Sequence, residues 1–88
     1  IMVSKTLTVK NPSGLHLRPA GVLAKAAGKC ASDVTILYND KTIACKSVLN
    51  IMAAGIKTGS EIVLQCDGPT EAEDLAALTE LIESGLGE

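Results

Sequence analysis

What most restricts this chain is how often its apolar positions change period: alternate residues first, then every third or fourth, then alternate again, with a turn-forming cluster at each change. Period two belongs to a strand with one buried face, and period 3.6 to a helix with one apolar stripe. Val3 to Lys10 reads as a strand, with Leu7 and Val9 inward and Thr6, Thr8 and Lys10 outward. Asn11-Pro12-Ser13-Gly14 ends it, because these residues favour turns. Beyond Pro19, the positions Ala20, Leu23, Ala24 and Ala27 fall at helical spacing. Gly28 stands where a helix would stop. Val34, Ile36 and Tyr38 predict a second strand, Ile43 and Cys45 a third. Between them Asn39 and Asp40 can both take positive φ, which predicts a tight hairpin.

Ser47 opens a short helix from Val48 to about Ala54, closed by Gly55. Ile62, Leu64 and Cys66 alternate with Glu61, Val63 and Gln65 in a fourth strand. Thr70-Glu71-Ala72-Glu73 has the form of a capping box, Thr70 capping and Glu73 reaching back. It launches a last helix with Leu75, Leu78 and Ile82 on one stripe. The order is βαββαβα. A helix packed on a sheet can bury only one side, so the helices are expected to share one face of a hairpin-built sheet. The expected fold is α+β, an open-faced β-sandwich: a four-stranded antiparallel sheet with three helices on one face.

The chain has 88 residues, enough for one domain. That domain is expected to run over 2–88, with Met2 the natural start and Ile1 a remnant of processing. At 47% hydrophobic the core is aliphatic, and Tyr38 is the only aromatic residue. With no stacking platform, and a net charge of -2 opposing a phosphate backbone, nucleic acid is excluded as a partner. No stretch approaches the roughly 20 apolar residues of a membrane span, and no signal segment opens the chain. Cys30, Cys45 and Cys66 are odd in number and widely spaced. That fits neither a metal knuckle nor a secreted disulfide framework. Free thiols in a reducing cytoplasm are expected instead, with neither metal nor cofactor.

The one histidine lies in Gly14-Leu15-His16-Leu17-Arg18-Pro19-Ala20, at a strand-to-helix junction. The first backbone N–H groups of a helix have no internal partner, and the helix dipole adds roughly half a positive charge there. Such an end accommodates an anion. Pro19 is tolerated within the first turn, and Arg18 adds a planar, permanently charged fork that suits phosphate oxygens. An imidazole so placed could accept a phosphoryl group and have its charge neutralised at once. No Ser-His-Asp order, metal cluster or close carboxylate pair accompanies His16, which argues against a self-sufficient hydrolase or metalloenzyme.

Gly-Leu-His-Leu-Arg-Pro-Ala resembles the active-site motif of HPr, the histidine-containing phosphocarrier protein family of the bacterial sugar phosphotransferase system. The likeness extends from Val3 to Glu88 and includes the element order. The resemblance implies a phosphoryl carrier rather than a turnover enzyme. His16 would be phosphorylated by enzyme I, itself charged from phosphoenolpyruvate, and would donate to sugar-specific IIA domains. It also implies that Arg18 stabilises the phosphoryl group, while Ser13 and the amides of Leu17 and Arg18 hydrogen-bond to it. Leu17 departs from the family's usual Ala, and a larger side chain beside His16 could narrow which partners dock.

By position Ser47 is a helix N-cap, worth about 1 kcal/mol against Ala. Lys46-Ser47-Val48-Leu49-Asn50-Ile51-Met52 is also similar to the regulatory segment of Gram-positive HPr, although Val48-Leu49-Asn50 replaces the more usual Ile-Met-Gly. There the matching serine is phosphorylated by a dedicated ATP-dependent kinase. Phosphate at a helix N-terminus is electrostatically comfortable, so its effect would fall on partners. The short helix is apolar nearly all round. The side it cannot bury, Leu49 with Met52 and Ala53, is expected to be an exposed docking patch. The implied partners are therefore enzyme I, IIA domains, HPr kinase/phosphorylase and a catabolite control transcription factor, all meeting a monomer. The alternative role is a regulatory module acting as a Ser47-phosphorylated corepressor. Relatives of that kind tend to have lost the histidine that this chain keeps.

Overall fold

The computed structural model describes residues 2–87, so Ile1 and Glu88, the expected end of the domain, lie outside the described residues. The elements are β1 (Val3–Thr8), α1 (Leu17–Gly28), β2 (Asp33–Tyr38), β3 (Lys41–Ala44), α2 (Val48–Ala53), β4 (Glu61–Asp67) and α3 (Glu71–Glu83). The βαββαβα order holds. The strands form one sheet in the order β1-β4-β2-β3, every neighbour antiparallel. Leu7, Ile36, Ile43, Ile62 and Leu64 point to its buried side, where Leu23, Ala27, Ile51, Leu78 and Ile82 of the three helices meet them. The other face carries Thr6, Thr35, Leu37, Thr42, Val63 and Gln65 at the alternate positions. Three helices on one side of an open sheet is the predicted sandwich.

Local chemistry explains the element ends. β1 stops at Thr8, two residues short of the expected Lys10. Val9 nevertheless stays fully buried, donating to Ser60 O (2.9 Å) and accepting from the Gly59 N–H (2.7 Å). Asn39 (φ 48°) and Asp40 (φ 64°) both take positive φ, and Tyr38 pairs Lys41 across them. That is the two-residue hairpin whose twist suits flanking strands. Gly55 closes α2 at φ 67°.

Two expected stops behave differently. Gly28 is the last residue of α1 rather than a left-handed cap, and Lys29 continues right-handed at φ -84°, ψ -11°. The Thr70/Glu73 capping box is not made either. Thr70, at φ -119° and ψ 31°, lacks the extended backbone of a capping residue and makes no cap bond. Its hydroxyl donates instead to Asp74 Oδ2 (2.7 Å), which also accepts the Ser32 N–H (3.3 Å), while Glu71 Oε1 accepts the Gly68 N–H (3.2 Å). Asp74 wins over Glu73 because it ties the helix start to a residue 42 positions away.

Candidate functional site

The histidine loop is held on two sides before the helix begins. Asn11 is buried. Its side-chain amide donates to the Gly14 carbonyl, and the Gly14 N–H donates to Asn11 O (3.1 Å). Gly14 sits at φ 65°, and a Cβ there would lie 2.7 Å from Ile56 O and 2.9 Å from Lys57 Cα. Both the conformation and the close approach require glycine. Leu15 is buried, and its N–H donates to Ile56 O (3.0 Å). The loop is thus clamped to the segment that follows α2.

His16 comes next, as the N-cap of α1. Its backbone is extended (φ -79°, ψ -169°), its carbonyl accepts the Ala20 N–H (2.8 Å), and its exposed imidazole makes no cap bond. Leu17 and Arg18 are the first two helical residues, so their N–H groups have no partner within the helix. Pro19, the third, has none to offer. The turn therefore presents two adjacent donors and no more. The first turn of α1 holds no acidic residue, whereas that of α3 holds Glu71, Glu73 and Asp74. One long helix neutralises its positive end with its own carboxylates, and the other leaves that end for an anion from outside. Arg18 is exposed and Ser13 half-buried on the same junction. The four residues predicted for phosphoryl binding, Ser13, His16, Leu17 and Arg18, thus all fall in the loop and first turn that open α1. His16 itself is exposed, and the clefts between β1 and α3, beside β3 and α2, and between α1 and α3 are lined by other residues.

Ser47 caps α2 as expected, its Oγ accepting the Asn50 N–H (3.3 Å). Ile51 is fully buried, while Leu49 is 78% and Met52 38% exposed, with Ala53 exposed beside them. Leu17, 66% exposed, adds a large apolar side chain next to His16, where a partner would meet it. Through Gly55, α2 leads directly to Ile56, the acceptor of the Leu15 amide, so the apolar patch and the histidine loop are joined by a few residues of chain. Sequence reasoning did not assign Asn11, Ile56 and Lys57 to the site. Asn11 carried only a turn signal, and nothing in the sequence pairs 11–15 with 56–57.

Away from this junction, Cys45 and Cys66 are buried, Cys30 is half-buried, and all three are free thiols. Burial pushes the Cys45 thiol up to about 12 and that of Cys66 up to about 11. Among the described residues no three His, Cys, Asp or Glu side chains are placed to hold a metal ion, and no helix is long and apolar enough to cross a membrane.

The family model for the PTS HPr component phosphorylation site matches residues 3–84. The phosphocarrier protein HPr of Mycoplasma capricolum is 41% identical over 86 residues, 97% of either chain. HPr-C-His from Thermoanaerobacter tengcongensis is 36% identical; the match covers 98% of this chain and 97% of that one, at a TM-score of 0.93. Crh, the Bacillus subtilis catabolite repression containing protein solved as a swapped dimer, is 29% identical, with 94% and 95% coverage and a TM-score of 0.76. These matches run over nearly the whole chain in both sequence and structure: the chain belongs to the HPr family, the phosphocarrier proteins of the phosphotransferase system.

Proposed function

We propose that this chain, as a single 2–88 domain, accepts a phosphoryl group on His16 from phosphoenolpyruvate-charged enzyme I and donates it to sugar-specific IIA domains. The observation that carries this reading is the junction itself: an exposed imidazole at the N-cap of a helix whose first turn contains no carboxylate. As the P–N bond to His16 forms and that to the donor breaks, the phosphoryl oxygens can be met by the Leu17 and Arg18 amides, the Arg18 guanidinium and the Ser13 hydroxyl. These donors stand in place before transfer, so little reorganisation accompanies it. Exposure is part of the mechanism, since two different partners must reach the same nitrogen. The carrier works as a cytoplasmic monomer without cofactor, and the apolar Leu49, Met52 and Ala53 meet both partners.

Ser47 is the regulatory site in this reading. Phosphorylation by an HPr kinase/phosphorylase adds about two negative charges beside the apolar patch and weakens docking of enzyme I. The likeness to Crh favours a second role, in which the Ser47-phosphorylated chain binds a catabolite control transcription factor. Retention of His16 and Arg18 keeps transfer as the leading function.

The test is incubation with phosphoenolpyruvate and enzyme I, then acid treatment. Acid-labile label that is absent in His16→Ala is the expected result, and unchanged labelling of that variant would reject the assignment. Acid-stable label gained only with ATP and kinase, and lost in Ser47→Ala, is expected for the second site.

A further inference from the structure

We propose that the cleft between α1 and α3 binds a small amphipathic anion: a carboxylate carrying an unbranched apolar tail of about eight to ten carbons. The cleft has a volume of about 620 Å³, within the range of small-molecule sites. Val22 and Ala26 of α1 face Ala77, Leu78 and Leu81 of α3 across it. From Val22 to Lys29 the helix rises about 10 Å, the length of such a tail.

Charge selects the head group. Lys25 and Lys29 line one lip, a single turn apart and exposed, on a chain whose net charge is -2. The one acidic residue of the lining, Asp74, already accepts hydrogen bonds from the Ser32 N–H and the Thr70 hydroxyl. Its carboxylate sits beside Cys30, at the Lys29 end of the lining, so with Lys25 and Lys29 the lining keeps one net positive charge. Two ammonium groups above an apolar trough match an anion with a tail, and neither a sugar phosphate nor a second cation fits both features. The site lies toward the C-terminal end of α1, away from His16, and does not depend on the carrier assignment.

The experiment is titration of the full chain with decanoate, followed by amide NMR shifts and by the rate of Cys30 alkylation with iodoacetamide. Saturable shifts confined to residues 22–30 and 74–81, with slower alkylation of Cys30, are expected. The exposed double variant Lys25→Gln/Lys29→Gln, which removes both charges without adding carboxylates at the end of α1, is expected to bind at least about fivefold more weakly, as is decanol to the parent. Shifts scattered over the surface, linear uptake without saturation, or equal binding of decanoate by the double variant would each overturn the proposal.

Discussion

At the scale of single residues, the site rests on Gly14 as much as on His16. Replacing Gly14 by Ala forces an L side chain into φ 65° and drives its Cβ to 2.7 Å from the Ile56 carbonyl oxygen. The left-handed conformation alone costs about 1–2 kcal/mol, and the clash adds to it by pushing residues 11–15 off the segment after α2. Gly14→Ala is therefore expected to lower stability by about 2 kcal/mol or more. For a chain this short that means a melting temperature about 8–16 °C lower, with slower transfer to His16 because the N-cap moves. A calorimetric scan showing no loss would mean that the clamp is not rigid. Leu17 is the converse case. At 66% exposed it contributes little to folding, so Leu17→Ala should leave the melting temperature within a few degrees. It should instead alter KM for enzyme I or the range of IIA acceptors, and transfer kinetics unchanged against a panel of acceptors would remove Leu17 from the docking surface.

At the scale of elements, α2 is six residues long, too short to persist by propensity, so its cap and its one buried anchor, Ile51, hold it. Ser47→Ala removes the Oγ acceptor of the Asn50 N–H. That should cost about 1 kcal/mol, or roughly 4–8 °C in melting temperature. Ser47→Asp keeps an acceptor and adds charge at a helix N-terminus, so it should lower enzyme I transfer while retaining stability. Equal transfer by Ser47→Asp and the parent would mean that the two sites do not communicate. The caps also show where sequence reading reaches its limit. Ser47 and the Asn39-Asp40 hairpin were legible because donor and acceptor, or turn and strands, lie within four residues of each other. Thr70 and Glu73 matched a local motif equally well. Asp74 took the hydroxyl instead because it also receives the Ser32 amide, a partner that no window of sequence contains. Gly28 likewise did not need its freedom, since α1 runs on into a right-handed Lys29.

At the scale of the whole molecule, the periods in the sequence predicted the element types and the single helical face, but not the strand order. β4 lies between β1 and β2, a placement decided by long-range packing, and the clamp of the histidine loop on Ile56 depends on the same closure. Burial across this closed core also bounds the pH range of the fold. Asp74 is held below the ordinary carboxylate value of 3.8 by hydrogen bonds from Ser32 and then Thr70. The unfolded chain therefore takes up this proton first as pH falls. The contribution is complete above that value and is lost as pH drops through it toward the lower folded value. At the alkaline end the sign follows from the thiols. Unfolded cysteines ionise from about 9.0, whereas burial keeps the proton on Cys45 to about 12 and on Cys66 to about 11. Above pH 9 the unfolded state binds fewer protons than the folded one, so stability falls as pH rises, by up to about 1.4 kcal/mol per pH unit for each thiol. Melting temperatures of the parent should therefore drop more steeply between pH 9 and pH 10.5 than those of Cys45→Ala. That variant starts lower because of its cavity but has lost one of the coupled thiol protons. Asp74→Asn should flatten the acid limb and also make the alkaline one shallower, because the Asp74 charge helps to keep the Cys66 and Cys30 thiols protonated. Parallel alkaline slopes for the parent and Cys45→Ala would show that the Cys45 thiol meets solvent before the fold opens, and that the core at this end is looser than its close packing implies.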